Sequence, residues 1–185
     1  MEDSKIIDLY FERNEAAITE TDQKYGAYCR SLAWNILQNP EDSEDCVSDT
    51  WLRAWNAMPP QRPGVLRQFL AKITRNLSLD RFRADHAQKR GNGEVPLALE
   101  ELKECVGSGD PATEAERLLL AQLIARFLKA LTQRDRGVFL RRYFYMEGHK
   151  DIAARYGMKE ANVRLCLSRT RQKLVLFLRE EDFPL

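Results

Sequence analysis

Apolar residues recur along this chain at intervals of three and four, and no stretch shows the sustained alternation of a half-buried strand. The pattern predicts an all-α fold. One helix start stands out at Asn39, which suits the cap position. Pro40 follows at the first helical position, and Glu41, Asp42, Glu44 and Asp45 lie near the positive end of the helix dipole. A preceding helix is expected from about Asp22 to Gln38. The new helix runs through CVSDTWLRAWNAM, with Val47, Trp51, Ala54, Trp55 and Met58 spaced for one apolar face. Asp45, Asp49 and Arg53 repeat every four residues on a different face, which leaves them exposed together as a solvated face or a docking strip.

A further helix is expected from about Val65 to Asp85. Projected at about 100° per residue, Leu66, Phe69, Leu70, Ile73 and Leu77 form one stripe, with Lys72, Arg75 and Arg83 opposite. Leu79 and Phe82 fall outside that stripe, so the helix meets a second packing partner or bends near its end. The C-terminal block has the layout of a helix-turn-helix. The helix ERLLLAQLIARFLKAL leads to Thr132 as a cap, then to a helix through RDRGVFLRRYFY. After Gly148 come the short helix KDIAARY, Gly157 as the turn, and a long helix from about Glu160. In that last helix Val163, Leu167, Thr170 and Leu174 point inward. Arg164, Ser168 and Arg171 share one outward flank, and Arg169 and Lys173 the other. Such a helix suits a DNA major groove, although a bundle with a basic surface has the same pattern.

Connectors are expected at PPQRPG (59–64) and from Lys89 to Pro111, a stretch holding two of the seven prolines and four of the nine glycines, which interrupt helical periodicity there. The second divides the chain into domains at 1–88 and 113–185, joined by a linker at 89–112 in which LALEELKECV has the pattern of a short helix. Charge sharpens this division. Residues 59–93 carry 8 basic and 2 acidic side chains, and residues 126–185 carry 14 and 7, whereas residues 94–125 carry only 2 basic against 7 acidic. Two basic blocks separated by an acidic one suggest two contacts with a polyanion, or two ordinary solvated faces.

Other function classes find little support. No apolar run reaches the roughly 20 residues needed to cross a bilayer, and MEDSKIIDLY lacks a basic-then-apolar leader. A cytoplasmic protein without membrane insertion is expected. Cys29, Cys46, Cys105 and Cys166 form no CxxC pair, and His86 and His149 stand apart from them. No metal site and no cofactor are expected, and the six residues read as structural or incidental. There is also no glycine-rich phosphate loop and no nucleophile set beside a histidine in sequence, so a binding protein is expected rather than an enzyme.

Two blocks of sequence resemble the sigma factors of the extracytoplasmic-function type, within the sigma-70 family. NPEDSEDCVSDTWLRAW resembles that family's polymerase-binding helix. FLAKITRNLSLDRFR resembles its promoter-melting helix, including the Arg-Asn-x-x-x-Asp arrangement at Arg75, Asn76 and Asp80. LTQRDRGVFLRRYFYMEGHKDIAARYGMKEANVRLCLSRTRQKL resembles its helix-turn-helix in order and spacing. The resemblance implies a sigma factor that binds core RNA polymerase and directs promoter recognition, strand opening and transcription initiation. It implies that Asp45, Asp49 and Arg53, with Glu44 and Ser48 nearby, face the clamp of the largest polymerase subunit.

The PPQRPGVLRQF connector and following helix would then take the minus-ten element as single strand, with Asn76 in a polar role and Arg67, Lys72, Arg75 and Arg83 on phosphates. Arg164, Ser168, Arg169, Arg171 and Lys173 would face the minus-thirty-five duplex. An anti-sigma partner, if the chain has one, would cover the polymerase-binding and DNA-binding faces. Length leaves no room for the additional regions of housekeeping sigma factors. The chain departs from the family's usual pattern at Cys46, Ser48 and Asp49, at Lys159 in the recognition-helix cap, and at Leu165 and Cys166. The alternative function is a helix-turn-helix regulator or sigma-like adaptor that does not itself direct initiation.

Overall fold

The structure, a computed structural model, describes residues 1–86, 94–106 and 113–183, and every regular element among them is an α-helix. The helices fall into two compact units. The first, Met1–Arg90, contains α1 (Asp3–Phe11), α2 (Ala16–Leu37), α3 (Pro40–Ala57) and α4 (Leu66–His86). The second, Gly91–Leu185, contains α5 (Glu94–Val106), α6 (Glu114–Ala130), α7 (Gln133–Tyr143), α8 (His149–Tyr156) and α9 (Glu160–Glu180).

Local chemistry sets the α2–α3 corner. Gln38 adopts the left-handed conformation, φ 52°, and its backbone N–H donates to the Trp34 carbonyl. Asn39 then caps α3 by accepting from the Asp42 N–H at 3.1 Å, with Pro40 in the first turn. A core of Ile6, Ile7, Tyr10, Ala17, Tyr25, Cys29, Val47, Trp51, Ala54, Met58, Leu66 and Leu70 joins all four helices. The start of α2 at Ala16, earlier than the expected Asp22, lets Ala17 and Thr21 enter this interior.

Helix α4 differs from its expected phase. The fully buried residues include Leu66, Leu70, Ala71, Thr74, Ser78 and Leu79, while Phe69, Ile73 and Leu77 are only half-buried. The physical reason is a seam of small hydroxyl residues facing α3. Thr50 and Thr74 hydroxyls lie 3.1 Å apart, and each also donates to a carbonyl one turn back, Cys46 at 2.7 Å and Leu70 at 2.9 Å. Ser78 does the same to the Thr74 carbonyl at 2.8 Å. Hydroxyls satisfied in this way can be buried without a desolvation penalty, and their small volume lets the helices approach closely. Leu79 therefore belongs to the core, and three larger apolar side chains move to the rim.

In the second unit, a capping box starts α6, where Thr113 accepts from the Glu116 N–H and the Glu116 carboxylate accepts from the Thr113 N–H. Thr132 caps α7 by accepting from the Asp135 N–H at 3.2 Å. Gly157, φ 61°, makes the left-handed turn that ends α8. A Cβ at Gly137 would stand 2.1 Å from the Tyr156 hydroxyl, so its absence permits α7 to approach the end of α8. Val163, Leu167, Thr170, Leu174 and Leu178 of α9 are buried, matching the inward stripe expected from sequence and extending it by a turn. Of residues 89–112, expected to connect domains, α5 packs against α7 and α9 and buries Val95, Ala98 and Cys105.

Candidate docking and nucleic-acid interfaces

With Cys46, Val47, Thr50, Trp51 and Ala54 turned inward, helical geometry directs Glu44, Asp45, Ser48, Asp49 and Arg53 to solvent, and all five are exposed. This strip is braced from both sides. Arg81 of α4 bonds Asp42 at 2.5 Å and reaches Asp45 at 3.3 Å. Arg30 of α2 stands 3.6 Å from Glu44 and 3.3 Å from Asp22. Beside the strip, Glu15, Ile18, Thr19, Ser48, Trp51, Leu52 and Trp55 line an open groove of about 640 Å³. Leu52 is 57% exposed although it sits between residues of the polar strip. Its departure from the apolar face was a signal in the sequence that the strip has an apolar neighbour.

On another side of this unit, Arg53, Ala57, Gln61, Phe69, Lys72, Ile73 and Asn76 line a cleft of about 280 Å³. The cleft brings Lys72 and Asn76, both expected near nucleic acid, together with Arg53 from the expected docking strip. Phe69 and Ile73 join them because the hydroxyl seam displaces them from the core. They were candidates only for packing in the sequence, whose periodicity does not distinguish a core position from a rim position. Arg67 is exposed and lies over the Tyr28 ring, 4.4 Å from its centroid. Arg83 and Asp80 are also exposed and pair with each other at 3.6 Å.

Arg75 requires a correction, because it does not stand on the open cationic face with Lys72 and Arg83. It is half-buried, and burial, with the Arg83 charge nearby, pushes its pKa below the ordinary arginine value. The turn of α4 that buries Thr74 and Ser78 also draws Arg75 inward.

On α9, Arg164, Arg169 and Lys173 are exposed, Ser168 is half-buried, and Arg164 pairs with Glu160 one turn before it. Leu165 is 48% exposed among them, and Lys159 occupies the cap position without a side-chain cap bond. Arg171 is the second correction. Instead of continuing the outward flank of Arg164 and Ser168, its Nη1 donates to the Tyr143 hydroxyl at 2.7 Å and lies 3.3 Å from Glu101 of α5. An acidic residue some seventy positions earlier in the chain captures it, and the periodicity of α9 carries no trace of that contact.

Cys29, Cys46 and Cys105 are buried and Cys166 is half-buried. Burial raises all four thiol pKa values, that of Cys29 to about 11. Among the described residues no group of three or more His, Cys, Asp or Glu is placed to hold a metal ion, and no helix is long and apolar enough to cross a membrane.

Two family models match the chain in succession. Sigma-70 region 2 matches residues 23–88, and Sigma-70, region 4 matches residues 121–174. The chain is 28% identical over 144 residues to the "Probable RNA polymerase sigma factor RfaY" of Xanthomonas campestris pv. campestris, covering 76% of this chain and 35% of that protein. It is 30% identical over 146 residues to the "ECF RNA polymerase sigma factor SigE" of Mycolicibacterium smegmatis, covering 77% of this chain and 54% of that protein. The matches thus span about a third and about half the length of these curated relatives.

Proposed function

Because the chain belongs to the sigma-70 family, with region 2 on one folded unit and region 4 on the other, we propose that it is a sigma factor of the extracytoplasmic-function type that directs transcription initiation. The observation that carries this reading is the pairing of the two regions, in order, with two surfaces of different chemistry. Region 2 presents a braced acidic strip and a cation-lined cleft, while region 4 presents an arginine-bearing helix seated on a helix-turn-helix.

In this reading Glu44, Asp45, Ser48, Asp49 and Arg53 meet the clamp of the largest core polymerase subunit. The adjacent groove at Leu52 and Trp55 supplies apolar area to a contact that exposed charges alone would hold weakly. The cleft at Lys72 and Asn76 accepts a base of the separated minus-ten strand. Phe69 and Ile73 offer it an apolar wall, Asn76 and Gln61 offer polar groups to its edge, and Lys72, Arg67 and Arg83 hold the backbone. Helix α9 enters the major groove of the minus-thirty-five element, where Arg164, Arg169 and Lys173 reach phosphates or base edges. Ser168 is a further polar contact, and Leu165 packs on thymine methyls. An anti-sigma partner would act by covering the α3 strip and the exposed face of α9.

The test is reconstitution. Purified protein mixed with core polymerase is expected to form a stable complex and to yield promoter-dependent transcripts. A chain that binds duplex DNA alone and gives neither result is a regulator of another kind.

A further inference from the structure

We infer that Leu165 is the base-reading residue of α9 and that it reads the 5-methyl group of thymine, so that apolar contact in the groove selects the upstream element while the neighbouring arginines hold its phosphates. The inference deepens the reading of α9 as the minus-thirty-five helix and rests on it.

The packing of α9 settles which residues face away from its scaffold. Val163, Leu167, Thr170 and Leu174 are buried. At about 100° per residue, Ala161, Leu165 and Gln172 then fall within about 30° of the opposite direction, whereas Arg164 and Lys173 lie about 90° to either side. Leu165 is 48% exposed, and Ala161 and Gln172 are exposed as well. A recognition helix of this motif reads base edges with its N-terminal turns. In the first two turns of α9 the outermost line therefore consists of Ala161 and Leu165, and neither side chain can hydrogen-bond.

The polar groups around Leu165 point or pair in other directions. Arg164 pairs with the Glu160 carboxylate one turn back along the helix. Cys166 is half-buried, and its Sγ donates to the Asp135 carboxylate of α7 at 3.5 Å. Arg171 is held by Tyr143 and Glu101. Leu165 is left at the centre of the face that meets the groove.

Groove chemistry limits what a leucine can recognise there. Every base pair presents hydrogen-bonding groups to the major groove, and the thymine methyl is the one apolar feature among them. An apolar side chain pressed on the other edges strips water from donors and acceptors and replaces none of the lost bonds, which is costly. Against the thymine methyl it buries apolar surface on both partners. Ala161, one turn earlier on the same line, is small enough to let the helix come that close. Arg164 and Lys173, on opposite flanks, suit the phosphates of the two groove walls, which position the helix without reading sequence.

The experiment uses holoenzyme assembled from core polymerase and the full chain. Holoenzyme selects from a pool of double-stranded fragments randomised across both promoter elements, and the recovered fragments are tested for transcripts. They are then resynthesised with deoxyuridine in place of each thymine of the upstream element in turn, on either strand. Deoxyuridine pairs as thymine does and lacks only the 5-methyl group. At one position or more, wild-type holoenzyme is expected to bind the thymine duplex about fourfold more tightly than the deoxyuridine duplex, the worth of one buried methyl. Leu165→Ala should bind the two duplexes equally. Leu165 is exposed, so this variant should melt as wild type does, and the wild-type comparison stands without it. Equal binding of both duplexes by wild type at every thymine overturns the inference, as does an undiminished preference in Leu165→Ala. Weaker capture of core polymerase by Leu165→Ala, with no deoxyuridine effect, would set Leu165 against the polymerase and also overturn it. A pool that yields no transcripts overturns the sigma-factor reading itself, and the inference falls with it.

Discussion

The two units bury polar groups in opposite ways. In the first unit, Thr50, Thr74 and Ser78 are neutral, and each donates to a carbonyl of its own helix, so their satisfaction scarcely depends on tertiary contacts. In the second, Arg142 and Arg171 depend on Glu101 from a different helix, and Glu147 accepts from both Arg141 and Arg155. A neutral, self-satisfied seam keeps the packing of α3 on α4 independent of any distant charge. An ionic cluster spanning α5, α7 and α9 ties the packing of the recognition helix to one acidic side chain. Interior charge is costly to leave unpaired, so the second interior depends on a long-range partner where the first does not.

Four measurements would break or sharpen this contrast. The largest effect is expected from Arg142→Ala, which removes a fully buried partner of Glu101 and should destabilise the second unit by about 3 kcal/mol in urea unfolding. A change below about 1 kcal/mol would mean that the cluster contributes little to the fold. Next, Asp45→Ala, Asp49→Ala and Arg53→Ala together should weaken core polymerase binding by about a hundredfold while altering stability by less than about 1 kcal/mol. A pull-down with unchanged recovery would remove the strip from the interface.

Thr74→Val should cost the first unit about 1 kcal/mol by chemical unfolding, since it removes one hydroxyl of the Thr50–Thr74 pair but keeps its volume. A loss comparable to that of Arg142→Ala would erase the contrast between the interiors. The smallest effect concerns pH. Burial raises the Asp135 pKa, but hydrogen bonds from Arg134, Cys166 and the Thr132 cap region, with the Arg134 charge, outweigh it and hold the carboxyl below its ordinary 3.8. A lowered folded pKa contributes stability that is complete above the unfolded value and is lost as pH falls through the folded one. Asp135→Asn should therefore lower stability by less than about 1 kcal/mol at neutral pH, and the difference should shrink as pH falls below 3.8, measured by thermal melts across that range.

Much of this was legible along the chain because it is local. The Asn39–Pro40 start, the Thr132 cap, the Gly157 turn and the inward stripe of α9 each depend on residues within a turn or two of one another. The exposure of Asp45, Asp49 and Arg53 also follows from helix period alone. The α4 stripe was placed on its larger apolar residues, because hydropathy weights Phe69, Ile73 and Leu77 above Thr74 and Ser78. A hydroxyl that bonds its own helix is nevertheless an inexpensive interior residue, and only the neighbouring Thr50 shows that this face is the one buried.

Sequence by itself determined an all-helical chain with two basic blocks, the ends of its helices and the strip on α3, since capping and periodicity act over a few residues. Tertiary structure decided which cations remain open to a ligand. Arg75 is drawn inward by the packing of α4, and Arg171 is held by Glu101, because the burial and pairing of a charge depend on helices brought together from distant parts of the chain.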